Sequence, residues 1–260
     1  MDMSVPVTPK SGSQVASNPK AGIGHNHSDL DVWMQKVDAL GELKTISAEV
    51  DPDLETATIS YLVGSEKSPA LLFDNVKGHP GHRVLYNMIG CNLSRFCVMI
   101  GEEPVDHPLK AVQKLQQKLG SKIPPTEVAE ASAICNANIW NGAEVDITKF
   151  PAQRMWPLDG GKYLGTGDAV ITKDPETGRI NVGTYRMMVK GPREIGVYTS
   201  PGKDAGLDRE KYWKAGKPMP IAAAYGIDPL LFLVAATSLP KTECEYDYYG
   251  GINGAPIEVF

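Results

Sequence analysis

The chain has 260 residues, 42% hydrophobic and 22% charged, a globular balance with room for one large domain or two ordinary ones. A formal net charge of -5, with none of the 26 Lys and Arg residues in a dense run, argues against a nucleic-acid surface. The longest apolar run, 230–236, falls far short of the roughly 20 residues of a membrane span, and four cysteines without CxxC spacing read as buried, reduced thiols in a cytoplasmic protein.

Residues 1–28 lack aromatic and periodic apolar positions and read as a flexible arm without a signal-peptide core; Gly24-His25-Asn26-His27 within it reads as a polar linker rather than a metal tract. Asp29 or Ser28 caps a helix with Leu30, Trp33, Met34, Val37 and Leu40 on one face, ended by Gly41. Residues 43–50 and 56–63 follow as strand and helix, with alternation too weak to separate the two types. Pro69 to Phe73 is a buried strand, and the loop at 74–81 carries His79, with His82 just beyond; both read as surface residues rather than as a catalytic base.

A strand at 84–91 and a short helix at 93–101 come next. Pro108 suits the first turn of a helix over 108–119 with Leu109, Val112, Leu115 and Leu119 on one side, and Pro124-Pro125 breaks the chain. Val145 to Thr148 alternates as a strand. Residues 168–172 and 179–189 should pair as antiparallel strands across the turn Asp174-Pro175-Glu176-Thr177-Gly178, with 194–199 as a third; Asn181 and Arg186 then leave one strand on opposite faces. Asp228 and Pro229 open an apolar helix over 230–238.

Four stretches in order carry a resemblance. They are Trp156-Pro157-Leu158-Asp159-Gly160-Gly161, Asn181-Val182-Gly183-Thr184-Tyr185-Arg186, Ser200-Pro201-Gly202-Lys203-Asp204 and, beyond the Asp228 helix, Glu243-Cys244-Glu245-Tyr246. Over residues 69–260 the chain resembles the cofactor-binding core of the UbiD-type decarboxylases, which use prenylated FMN to add or remove carboxylate on aromatic and unsaturated acids. The resemblance implies an α+β fold, with an N-terminal α/β domain at 29–124 and an antiparallel split-β-barrel flavin-binding domain at 125–260.

It further implies that Arg186 orients the substrate carboxylate, a task suited to a permanently charged bidentate guanidinium. Thr184, Tyr185, Arg186, Lys203, Thr237, Ser238 and Leu239 would meet the cofactor. Asn181, Asp204 and Glu245 would hold Mn²⁺ or Mg²⁺ against its phosphate, with K⁺ as a further cation. Asp204 stands where the family has histidine, so this set is all oxygen. The alternative, a solvated loop carboxylate and a lost metal, stays open.

The family's proton-transferring glutamates lie beyond the strand that ends at Phe260. The expectation is therefore a fragment or one part of a split enzyme, weakly active or inactive alone, working as a homo-oligomer or with a complementary C-terminal chain. Its small-molecule partners would be an aromatic or unsaturated acid and carbon dioxide. A second reading is a non-catalytic flavin-binding subunit; a third, an FMN-binding reductase, leaves the Asn181 and Arg186 pattern without a purpose.

Overall fold

The side chain of Asp29 accepts hydrogen bonds from the backbone N–H of Asp31 (2.7 Å) and Val32 (3.4 Å) and starts helix α1, Leu30–Ala39, after which Gly41 turns the chain at φ +71°. The computed structural model describes residues 29–64, 67–165 and 167–260; the arm at 1–28, with its histidine pair, lies outside them. Strand β1, Leu43–Ile46, helix α2, Glu55–Val63, and strand β2, Ala70–Phe73, form a parallel crossover unit, and β3, Val84–Tyr86, adds antiparallel to β2.

All four residues of β2 are buried because the sheet is covered on both faces. Ala70 and Leu72 face α1 and helix α3, Leu93–Met99, whereas Leu71 and Phe73 face Ile59 and Val63 of α2. The strand expected at 84–91 stops early, since Asn87 and Gly90 take positive φ values of 55° and 56°. A Cβ on Gly90 would lie 2.7 Å from the guanidinium of Arg95, a fully buried residue paired with Glu42 and donating to the Ser68 carbonyl.

Helix α4, Pro108–Leu119, forms where expected but is rotated: Leu109 and Val112 are 63% and 55% exposed, and Ala111, Leu115 and Leu119 turn inward at i, i+4, i+8 spacing. Strand β4, Thr126–Glu127, is followed by short 3-10 turns. One of these, Ile147–Lys149, replaces the strand expected at 145–148, because Asp146 accepts from the Thr148 N–H and bends the chain there. The cysteine expectation also needs correction: Cys97 is buried and Cys244 half-buried, but Cys91 and Cys135 are exposed.

The remaining strands are β5, Tyr163–Gly165, β6, Asp168–Lys173, β7, Ile180–Gly183, β8, Arg186–Gly191, β9, Glu194–Tyr198, β10, Ala222–Tyr225, and β11, Glu258–Val259. They make two three-stranded sheets, β10-β6-β7 and β5-β8-β9, while β11 pairs in parallel with β4. The single strand expected over 179–189 is thus broken at Thr184-Tyr185, and Asn181 and Arg186 stand in different sheets.

Three helices complete the α+β fold: α5, Asp204–Lys214, α6, Pro229–Ala235, and α7, Glu245–Asn253. Asp228 caps α6 by accepting from the N–H groups of Leu230 (2.9 Å) and Leu231 (3.1 Å). The helix ends at Ala235, short of the expected 238, and the hydroxyl of Thr237 donates back to the Leu233 carbonyl. Leu230, Val234, Tyr249 and Ile252 pack with Trp33, Met34, Val37 and Met99 in one core. No helix among the described residues is long and apolar enough to cross a membrane.

Helix α7 approaches residues 121–123 so closely that a Cβ on Gly251 would lie 1.7 Å from the Ser121 carbonyl oxygen and one on Gly250 2.3 Å from that of Ile123. Gly251→Ala should therefore lower the unfolding free energy by about 3 kcal/mol in urea titration, with Gly120→Ala, which meets nothing closer than 3.5 Å, as the mild control. Burial pushes the Asp228 carboxyl up to about 7. Folding then favours its protonated form, so its contribution to stability falls as pH rises from about 4 to 7 and is flat above. Asp228→Asn keeps the cap, and the stability of wild type relative to this variant should drop by roughly 3 kcal/mol between pH 4.5 and 8.

Candidate functional site

Thr184 and Tyr185 carry the chain from one sheet to the other, and a cleft of about 590 Å³ opens at that crossing. The Tyr185 ring lies over Gly183, where a Cβ would come within 2.6 Å of it. Its N–H donates to Asp168 Oδ1 (3.1 Å), and its hydroxyl accepts from the Ala205 N–H at the start of α5 (3.3 Å). Buried Asp168 has its carboxyl pushed up to about 6 by desolvation. Tyr185 also walls a second cavity of about 310 Å³, shared with Arg209 and Trp213.

The structure brings every expected site residue to the 590 Å³ cleft: Asn181, Thr184, Tyr185, Arg186, Lys203, Asp204, Thr237, Ser238, Leu239 and Glu245 all line it. Arg186 opens β8 opposite Tyr198 and is exposed, with no carboxylate partner among the described residues. Asp204 is the first residue of α5 and Glu245 the first of α7, two helices that the sequence reading missed. Glu243 turns away to Lys122 and Tyr248. His79 and His82 sit apart from the cleft, against the Lys149 carbonyl and the Phe150 ring.

Two cations were missed. Lys241 lines the cleft beyond α6. Arg179 lies behind the cleft wall, its Nη1 3.1 Å from Asp204 Oδ2, its Nη2 3.8 Å from Glu245 Oε1, and its Nε donating to the Glu243 carbonyl at 2.8 Å. A sequence signal existed: Arg179 precedes Asn181 by two residues, the interval that places side chains on one face of a strand.

The three expected metal ligands share one wall, where both carboxylates already have partners. Glu245 Oε2 accepts from the buried Val182 N–H (2.9 Å), and Asn181 donates to Thr172 Oγ1 (3.1 Å), which in turn donates to Asp208 (2.7 Å). Both carboxylates face Arg179, so a divalent ion between them would meet a guanidinium at close range. Among the described residues no group of three His, Cys, Asp or Glu side chains is arranged to hold a metal. The residues as placed do not fit a divalent cation. Burial raises the Glu245 carboxyl above its ordinary range, opposed by the Val182 N–H and Arg179.

A flavin fits better. The cleft has apolar wall from Val182, Ala235, Ala236 and Leu239, backbone access at Gly183, and Arg186, Lys203 and Lys241 for a phosphate and a carboxylate. Residues 126–260 match the 3-octaprenyl-4-hydroxybenzoate carboxy-lyase (UbiD) Rift-related domain, and residues 34–116 match the N-terminal domain of the same family. The chain belongs to the UbiD family.

Among UbiD-family relatives, the chain is 32% identical over 251 residues to the uncharacterised protein sll0936 of Synechocystis sp., covering 88% of this chain and 49% of that one. The closed form of vanillic acid decarboxylase from Sedimentibacter hydroxybenzoicus superposes with a TM-score of 0.84 at 26% identity, over 89% of this chain and 50% of the other. The evolved dimeric form of the UbiD-class enzyme HmfF from Pelotomaculum thermopropionicum, solved in complex with prFMN, gives 0.79 at 27% identity over 89% and 52%. The chain spans about half the length of the relatives it matches.

Glu245→Ala should strand the buried Val182 N–H and lower stability by about 2 kcal/mol, a fall in Tm of about 4–8 °C in calorimetry. Glu245→Gln keeps an acceptor in place and should lose less than half of that.

Proposed function

We propose that this UbiD-family chain supplies the flavin pocket and the substrate-carboxylate arginine for reversible decarboxylation of an aromatic or α,β-unsaturated acid, with prenylated FMN as cofactor and residues 125–260 as its split-barrel portion. The observation that carries the reading is Arg186, a guanidinium fixed on a strand that lines a cleft of about 590 Å³, with no carboxylate partner among the described residues. When bound, the prenylated flavin supplies the electron sink that loss of carbon dioxide requires.

Arg186 offers two parallel N–H donors to both oxygens of a carboxylate. Strand pairing with β9 fixes its backbone, so the acid is oriented rather than merely attracted. The attraction is to a charge that moves off the carboxyl as carbon dioxide leaves, its electron pair staying with the substrate carbon until a proton is added, so Arg186 would bind and position the acid and lose its hold on the neutral product. Tyr185, pinned over Gly183, and Leu239 restrict water on the flanks. Protonation of the product needs an acid, and the two carboxylates of the cleft are both engaged by Arg179, so neither is assigned that part.

Fluorescence quenching with FMN as the probe tests the pocket, and benzoate added to the FMN-loaded chain tests the arginine. Arg186→Ala should leave FMN affinity within about threefold while weakening benzoate about 10- to 100-fold, as expected for loss of charge-assisted hydrogen bonds. Failure of the wild-type chain to quench FMN would overturn the reading.

A further inference from the structure

Resting on that flavin-site reading, we propose that Arg179 takes the place of a divalent cation, so that this chain holds its flavin phosphate with Lys203 and Lys241 and needs no metal to do so. Two carboxylates at the head of a phosphate pocket are an electrostatic obstacle unless something neutralises them. In this chain the neutralising charge is a side chain, and it approaches from behind the wall, outside the residues that line the cleft.

Three observations support the exchange. First, Arg179 is anchored as a structural part: its Nε donates to the Glu243 carbonyl two residues before Glu245, and Nη1 pairs with Asp204 at 3.1 Å. Second, Nη2 is buried without a hydrogen-bond partner 3.8 Å from Glu245 Oε1, so that pair is held by charge. Third, the cleft carries enough free positive charge for a phosphate dianion. Lys203 and Lys241 line it without a carboxylate partner among the described residues, and Arg186 remains for the substrate. Asp204 fits the same logic, because a carboxylate at this position pairs with a guanidinium where a neutral imidazole would not.

The test has two arms with separate readouts. In the first, Mn²⁺ is titrated calorimetrically into the flavin-free chain and into the chain loaded with FMN. Wild type should take up none in either state, Arg179→Met should take up about one equivalent through its bared carboxylates, and Arg179→Lys should take up none. In the second, FMN affinity should agree within about twofold in EDTA and in Mn²⁺, and the double variant Lys203→Glu, Lys241→Glu should bind FMN at least about tenfold more weakly in EDTA.

One equivalent of Mn²⁺ in wild type, a tenfold loss of FMN affinity in EDTA, or no uptake by a folded Arg179→Met would overturn the proposal. Should Arg179→Met not fold, the wild-type titration and the double lysine variant decide it. FMN failing to bind in every buffer would sink the flavin reading instead, and Mn²⁺ uptake by the wild-type chain would still judge Arg179.

Discussion

One guanidinium holds the site together. Arg179 stands just before β7 and reaches the first residue of α5, the first residue of α7 and the backbone between α6 and α7. Charges taken partly out of water are costly, and each member of this group offsets that cost for the others. Together they fix where two helices begin relative to the strand, and Glu245 adds a direct bond from its carboxylate to the β7 backbone. The cleft wall exists because these charges have no better place to be.

The second constraint is the crossing at Thr184-Tyr185. A continuous strand would leave Asn181 and Arg186 in one ladder with no space between them. The Tyr185 N–H bonds to the Asp168 side chain, and the ring folds over Gly183, so the chain changes sheet within two residues. Behind it, the buried series Asn181, Thr172 and Asp208 satisfies polar groups that would otherwise face an apolar interior. The open space at the crossing is what the lysines, Arg186 and the end of α6 surround.

Much of this was legible in the sequence where local chemistry acts alone. Caps such as Asp29 and Asp228 and the hairpin at Asp174 to Gly178 depend on neighbours in the chain, and they formed as read. The ten residues singled out for the site meet at one cleft because motif order survives folding even when strand continuity does not. What stayed hidden depends on distant contacts. Of the apolar stripe read on α4, Leu115 and Leu119 do face the core, whereas Leu109 and Val112 are exposed and Ala111 takes the inner place of the first turns. Helix α5 is mostly charged, and α7 contains two adjacent glycines that weaken it as an isolated helix. Those glycines are there for contact with residues 121–123, which no local pattern reports. Arg179 read only as the first residue of a strand, because its partners lie far along the chain.

The core that joins α1 to α6 and α7 also sets the order in which the chain can become itself. Trp33 and Val37 emerge some two hundred residues before Leu230 and Ile252, the groups that finally cover them. Until then a large indole and its neighbours lack their cover, and closing so long a loop costs chain entropy before any contact is made. Helix α1 and the β1-β2-β3 sheet are therefore early structure that waits for late residues. Anything that delays synthesis between β3 and α6 lengthens the interval in which that unfinished surface meets other molecules.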